Sequence, residues 1–343
     1  MLNSTWFVAP EEARYAKQRP IRPESRLCIE SSMSVAAKES SRARVSPLSA
    51  LEQQVVALDA AMLVAVTATE VGAVHKLRTS TRRVEAQLHL LKLVATSNKR
   101  LKLPDYTDQA KAVRRRLTKV RRAAGAVRDL DVQMTIIRMD TPLKSAVHKG
   151  SPDDAIRQQA KQLRRHLENE RDREARKLRI VLKAEEHKLA AKLRALEEAL
   201  KPARGLAAIP SNLSSHVQQW FTQQAAPLIE QPKRKKGEAE RSLRQSIEAM
   251  DEDALHTVRK AAKLCRYMAE SAPDGATARE LAERFERIQE AGGRWHDWLL
   301  LEQLSRDFHG RGAELTQRYG KHRDAALEEY YAQLSELLPA FTG

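Results

Sequence analysis

HKLRTSTRR, His75 to Arg83, carries two periodic patterns in one short run. Leu77 and Val84 belong to an apolar face that Val74, Leu88 and Leu91 continue at three-, four- and seven-residue steps. This is the spacing of an amphipathic helix, expected from Ala73 to Ala95. His75, Arg78 and Arg82 keep the same rhythm on another face. At 100° per residue they fall within about 60° of arc, so they form one stripe of imidazole and guanidinium groups. Arg83 adds a cation beside the stripe, and Lys76 points elsewhere.

Helical signals extend to both sides. Upstream, Ser46-Pro47 is a cap followed by proline at a first helical position, and Leu48, Leu51, Val55, Leu58, Met62 and Val66 recur behind it. That helix is expected to reach Val71, with Gly72 breaking it. Downstream, Pro104-Asp105 opens a basic helix reaching Ala124, Gly125 interrupts it, and a shorter helix follows from Asp129 to Met139. Ser151-Pro152-Asp153-Asp154 places acids where the helix dipole favours them and opens a long charged segment to Leu200, within which a break is expected. Leu206 to Leu213, containing Pro210, reads as a connection. Further helices are expected at Ser214–Ala226, Glu238–Met250, Glu252–Ser271, Ala276–Ala291, Trp295–Phe308 and Ala313–Leu338. The fold class is all-α, and a large sheet is excluded by the scarcity of Gly (12) and Pro (13) within a chain rich in helix formers.

The 343 residues carry 61 Lys plus Arg against 45 Asp plus Glu, a net charge of +16, which draws anionic partners. Aromatic residues are only 4%, and readers of single-stranded nucleic acid need rings on which bases stack. The balance favours a polyanion without bases. Two cysteines, Cys28 and Cys265, make neither a disulfide framework nor a metal cluster, so no metal or cofactor is expected. Residues 1–45 have no sustained apolar period and read as a disordered arm. They lack the apolar core of a signal peptide, and the run Ala60 to Ala68 is too short to span a bilayer, so a cytoplasmic location is expected. Lys233 to Lys236, between Pro232 and Gly237, reads as a solvated loop.

The stripe has an echo. HTVRKAAKLCRY again places cations three and seven residues after a histidine: His256, Arg259 and Lys263, with Arg266 extending the line. Each stripe is followed by a second shared element. AGAVRDLD holds Gly125, Arg128 and Asp129, and GGRWHDWL holds Gly293, His296 and Asp297, which read as structural turns. Both Asp residues are expected to cap a following helix or orient a neighbouring Arg, and Trp220, Trp295 and Trp298 to pack.

These paired motifs resemble the CHAD family over roughly Pro47 to Leu338. His296 in place of Arg128, and Lys263 in place of Arg82, are the departures between the two repeats. The resemblance implies two four-helix-bundle-like repeats, here 46–205 and 206–343, related by a pseudo-twofold. It further implies a basic surface or central channel that binds inorganic polyphosphate. Family members are often joined to a CYTH triphosphatase domain, and no ExExK signature of that domain occurs in this sequence.

The chemistry fits the residues. Polyphosphate offers repeated anionic oxygens and no base edges, and a helix face presents planar arginine forks at regular intervals to meet them. Between Lys99 and Asp129 the chain has eleven Lys or Arg against Asp105, Asp108 and Asp129. There Lys111, Arg114, Arg115 and Arg122 share one arc, as do Arg157, Lys161, Arg164 and Arg171 further on. The binding set is expected to be His75, Arg78, Arg82, Arg83, Lys111, Arg114, Arg115, Arg122, Arg157, Lys161, Arg164, His256, Arg259, Lys263 and Arg266. Imidazoles beside phosphate are expected to be protonated, tightening binding below about pH 7. The two stripes are expected to converge on a single electropositive trough. The protein is expected to be no enzyme, and granule proteins are expected partners. The alternatives are a sequence-independent nucleic-acid binder and a scaffold or accessory to a phosphohydrolase.

Overall fold

Proline and acidic residues open helices where the sequence places them. The computed structural model describes residues 47–97, 103–141, 152–203, 213–230, 242–271 and 275–339. The first two helices are α1 (Pro47–Thr67) and α2 (Val71–Ser97), followed by α3 (Thr107–Asp140) and α4 (Pro152–Leu200), which ends in a 3-10 turn at Lys201–Ala203. Then come α5 (Leu213–Glu230), α6 (Leu243–Glu248), α7 (Glu252–Glu270), α8 (Ala276–His309) and α9 (Glu314–Leu337). Among the described residues the fold is all-α. The expected arm at 1–45, the loop at 233–236, Cys28 and most of the connection at 206–213 lie outside the described residues. The described helices belong to one compact unit, Arg44–Gly343.

Caps follow the local chemistry. The Asp105 carboxylate accepts the Thr107 N–H at 3.0 Å, Asp251 accepts the Ala254 N–H at 2.7 Å, and Ser242 with Gln245 forms a capping box.

Several boundaries differ from the sequence reading. The first break falls at Ala68 to Glu70, and Gly72 lies inside α2. Arginines of α4 hold this connection: Arg171 Nη2 donates to the Thr69 carbonyl at 2.7 Å while its Nε pairs with Asp131 at 2.8 Å. Gly125 does not end a helix, because α3 runs through it. Gly293 likewise lies within α8, so neither glycine with its aspartate, Asp129 or Asp297, forms a turn. Glycine inside a helix costs about 1 kcal/mol relative to alanine, which packing readily offsets. The segment to Leu200 does not break either. α4 is one helix of 49 residues, roughly 70 Å long at 1.5 Å per residue.

Packing explains the unbroken lengths. α1, α2, α3 and the C-terminal part of α4 share one core, with Leu58, Leu77, Leu117 and Leu182 among its fully buried members. A second core joins α5 to α9. A third joins the C-terminal end of α3 (Met134, Ile137) and the N-terminal part of α4 (Leu163, Leu167) to α8 and α9 (Leu301, Tyr319). α3 and α4 are long because each leaves one core and enters another. α2 also serves two cores: Val84, Leu88 and Leu91 face the first, and Ala86, Leu90 and Val94 face the second. Its polar stripe therefore lies along the seam between them.

Leu48–Thr67 has the length and composition of a membrane span, although no unbroken apolar run in it is that long. One side of it packs into the first core, while Val56, Leu63 and Val64 face outward.

Candidate functional site

α2 packs against both α3 and α7, and α7 packs against α8. The two histidine-led stripes consequently meet. Arg78 Nη1 donates to Asp129 Oδ1 of α3 at 3.0 Å, and its guanidinium crosses Gly125 so closely that a Cβ there would stand 2.8 Å from Nη1. Across the seam, Arg259 Nη2 lies 3.4 Å from His256 Nδ1, and the rings of His256 and His296 are 4.7 Å apart. Gln133 of α3 donates to the Asp297 carbonyl of α8 at 3.2 Å, tying the two walls together.

The electrostatics are those of crowded cations. Burial, together with Arg82, Arg78, Arg259 and Arg266, holds the Lys263 amine down at about 7. Burial and then Arg78 and Arg121 bring the Arg82 guanidinium down to about 10, and its buried Nε has no hydrogen-bond partner among the described residues. Arg259 is lowered by burial, with Asp297 opposing the shift. The Asp297 carboxyl is pushed up to about 6 by burial, despite Arg259. These shifts place Arg78, Arg82, Arg259 and Lys263 within electrostatic reach of one another. Arg78 and Arg259 have acidic neighbours in Asp129 and Asp297. Around Lys263 the strongest charges are the cations Arg82, Arg78, Arg259 and Arg266, and the half-buried Asp297 carboxyl is an acid within reach of it.

The histidines behave differently from expectation. Burial, followed by Arg259 and Lys260, lowers His256 to about 4. Burial, followed by Arg259 and His256 itself, lowers His296 to about 3. Both imidazoles are neutral in the unliganded protein at neutral pH, so the group poised near neutrality is Lys263. His75 is exposed at the N-terminal end of α2.

Beyond Arg82 the stripe of α2 continues. Glu85 pairs with Arg121, and His89 is lowered to about 4 by burial and then by Arg114. Lys92, Arg114, Tyr106 and Thr107 line an open pocket of about 700 Å³ between the end of α2 and the start of α3. Arg114 Nε is buried there without a hydrogen-bond partner among the described residues.

A family model described as the CHAD domain matches residues 49–306. The chain belongs to the CHAD family. Among solved structures, PptA from Streptomyces chartreusis aligns with a TM-score of 0.56 and 18% sequence identity, covering 87% of this chain and 98% of that one. At this identity the likeness supports the fold. Comparison with curated proteins gave no match.

Several expected site residues of the CHAD domain stand apart from the seam between α2 and α7 or are paired with acids there. Arg83 lies 3.8 Å from Glu270 and over the Tyr267 ring, and Arg266 is bridged by Glu270 at 2.8 Å and Glu286 at 3.0 Å. On α3, Arg114 is half-buried towards α2, whereas Lys111, Arg115 and Arg122 stand on exposed surface. Arg157, Lys161 and Arg164 sit on α4, whose neighbours are α1, α3, α8 and α9, and Arg164 pairs with Glu168 at 3.3 Å. The tryptophans pack as expected: Trp295 is buried against Tyr330, Trp298 stacks on His322, and Trp220 meets His89 edge-on.

Arg121, His89, Lys92 and His296 are further cationic or imidazole groups near the seam that sequence reasoning did not select for binding. His89 and Lys92 were within reach of the pattern, since they continue the seven-residue step from Arg82 and Glu85. Arg121 and His296 depend on how α3 and α8 lie against α2 and α7. Among the described residues no three His, Cys, Asp or Glu side chains gather as metal ligands.

Proposed function

We propose that this CHAD protein binds inorganic polyphosphate, without turning it over, in the trough between α2 and α7. The observation carrying this reading is the half-buried Lys263 amine with Arg78, Arg82 and Arg259 around it, against which the half-buried Asp297 is the acid within electrostatic reach. Like charges packed this way destabilise the unliganded protein, and a chain of phosphates relieves the repulsion through charge-assisted hydrogen bonds. The association of the CHAD family with polyphosphate supports the same ligand. So does the burial of the neighbouring rings: Tyr267, Trp295 and Tyr330 offer no open face to a base.

The proposal extends to architecture. α3 and α8 have the same length, 34 residues, and each carries the Gly and Asp motif behind a helix bearing a histidine stripe. α2 packs on α3 and α3 on α4, while α7 packs on α8 and α8 on α9. This parallel supports a duplicated unit with a pseudo-twofold, the ligand lying between its halves. A cytoplasmic, granule-associated location belongs to the same reading and is tested by imaging a fluorescent fusion with and without charge reversal at Arg78, Arg82, Arg259 and Lys263.

The binding test is competition. Polyphosphate of defined length is titrated against the full chain beside RNA and duplex DNA, at equal phosphate concentration and several salt concentrations. Polyphosphate is expected to displace both nucleic acids. Displacement of polyphosphate by either nucleic acid would replace this reading with a general nucleic-acid binder. Release of orthophosphate by the pure protein would overturn the non-catalytic part.

A further inference from the structure

The stripe on α2 does not end at the trough. Beyond Arg82 and the Glu85–Arg121 pair it runs through His89 to Lys92, which stands on the wall of the open pocket of about 700 Å³ between α2 and α3. That volume is the size of a small-molecule site. Three kinds of chemistry line it. Leu88, Ala95, Leu103, Pro104 and Ala110 make an apolar wall, with the half-buried Tyr106 beside them. Lys92 and Arg114 supply two cations. Asp105 supplies an exposed carboxylate, which also caps the Thr107 N–H at 3.0 Å. Arg114 is the group least satisfied by the protein. Its Nε is buried without a hydrogen-bond partner, and neither it nor Lys92 is ion-paired among the described residues. Its charge reaches His89 and Tyr106, and burial keeps both of those rings neutral at neutral pH.

We propose that this pocket binds a nucleoside diphosphate, with its phosphates on Lys92 and Arg114, its ribose at Asp105 and its base against the apolar wall. Each part of that ligand answers one part of the lining. Two cations match two phosphates through charge-assisted hydrogen bonds, and Arg114 Nε gains the acceptor it lacks. An ionised carboxylate only accepts, so Asp105 calls for a donor on the ligand, and ribose hydroxyls are donors. The base covers Leu88, Leu103 and Pro104. Simpler anions fit less well. An inorganic phosphate chain would set its oxygens against apolar carbon and against Asp105, and a fatty acid would leave Asp105 without a donor. The inference goes beyond polyphosphate binding and does not depend on it, because Glu85, paired with Arg121, separates the pocket's end of the stripe from Arg82 of the trough.

The full chain is titrated in a calorimeter with ADP, adenosine and pyrophosphate, beside the Arg114→Gln, Lys92→Gln, Ala95→Phe and Arg82→Gln variants. Wild type is expected to bind ADP at least about tenfold more tightly than either fragment, since only ADP meets both the cations and the apolar wall. Arg114→Gln should weaken ADP by at least about tenfold, the loss of one hydrogen bond from a charged group. Ala95→Phe puts a ring into the pocket, so it should weaken ADP and leave pyrophosphate as it was. Lys92→Gln changes an exposed side chain and should weaken ADP even where Ala95→Phe fails to fold. Arg82→Gln should weaken pyrophosphate and leave ADP within about twofold, as distant independent sites do. ADP held no more tightly than pyrophosphate overturns the proposal. So does ADP binding that Arg82→Gln weakens while Arg114→Gln and Lys92→Gln do not, because the nucleotide's phosphates would then lie in the trough. Octanoate, an anion with an apolar tail and no ribose, is expected to bind far more weakly than ADP, and an equal affinity would also overturn the proposal.

Discussion

Arg78 crosses α3 directly above Gly125, with Nη1 2.8 Å from where a Cβ would stand. The two residues are coupled through the Arg78–Asp129 ion pair one turn further along α3. Gly125→Ala should therefore raise or preserve thermal stability, since alanine favours the helix by about 1 kcal/mol. It should also push the guanidinium off Asp129 and weaken polyphosphate binding by roughly tenfold, the size of one charged hydrogen bond. Melting temperature and a binding titration on the same sample check both signs. Unchanged affinity would mean that the position of Arg78 does not matter to the ligand.

Lys263→Met separates stability from function. Replacing a half-buried amine among arginines by a flexible apolar chain removes repulsion and desolvation together, so the unliganded protein should gain roughly 0.5–2 kcal/mol. Polyphosphate affinity should fall, and the slope of log affinity against log salt should drop by about one unit. A destabilised variant with unaltered salt dependence would contradict the crowded-cation account.

The helices and both stripes were legible in the sequence because three- and four-residue periodicity is a local property, visible from His75 to Arg82 and again from His256 to Lys263. What was misread depended on distant partners. Gly125 and Gly293 looked like breaks, yet α3 and α8 pass through them into cores shared with α4 and α9. The expected break in α4 was argued from typical helix length, which does not foresee one helix serving two cores. The protonation states were hidden for the same reason. No spacing in α7 reveals that Arg82 and Arg78 of α2 stand beside Lys263, or that burial keeps His256 neutral.

Binding should vary with pH through Lys263. Its amine sits at about 7 in the free protein and rises towards the ordinary lysine range when an anion neutralises the cluster. Affinity should therefore be greatest below about 7 and fall as pH rises towards about 10, by at most about tenfold per pH unit for this one group. Stability of the unliganded protein should run the other way. The unfolded chain holds the Lys263 proton up to the model-peptide value of 10.5, so between about 7 and 10.5 this group makes the fold more stable as pH rises. Titrations at several pH values with wild type and Lys263→Met test both trends. Equal pH dependence in the two proteins would assign the effect elsewhere.

Asp131 marks a structural contact that should not behave like the trough. Its side chain is 1% exposed and pairs with Arg171, which also donates to the Thr69 carbonyl between α1 and α2. Asp131→Ala leaves a cation in a half-buried site and should cost about 3–5 kcal/mol, seen as a large fall in denaturation midpoint. Protein that remains folded should bind polyphosphate with near-normal affinity. A selective loss of binding with normal stability would place Asp131 in the ligand site.

The account depends on α2 and α7 contributing to one site, and a double-mutant cycle on Arg82 and Lys263 tests that most directly. Polyphosphate affinities of wild type, Arg82→Ala, Lys263→Ala and the double variant are measured at one salt concentration. A single trough predicts one class of sites, a marked loss in each single variant, and a coupling of roughly 0.5 kcal/mol or more between them. Strictly additive losses, or two independent classes of sites of which each variant abolishes one, would contradict it.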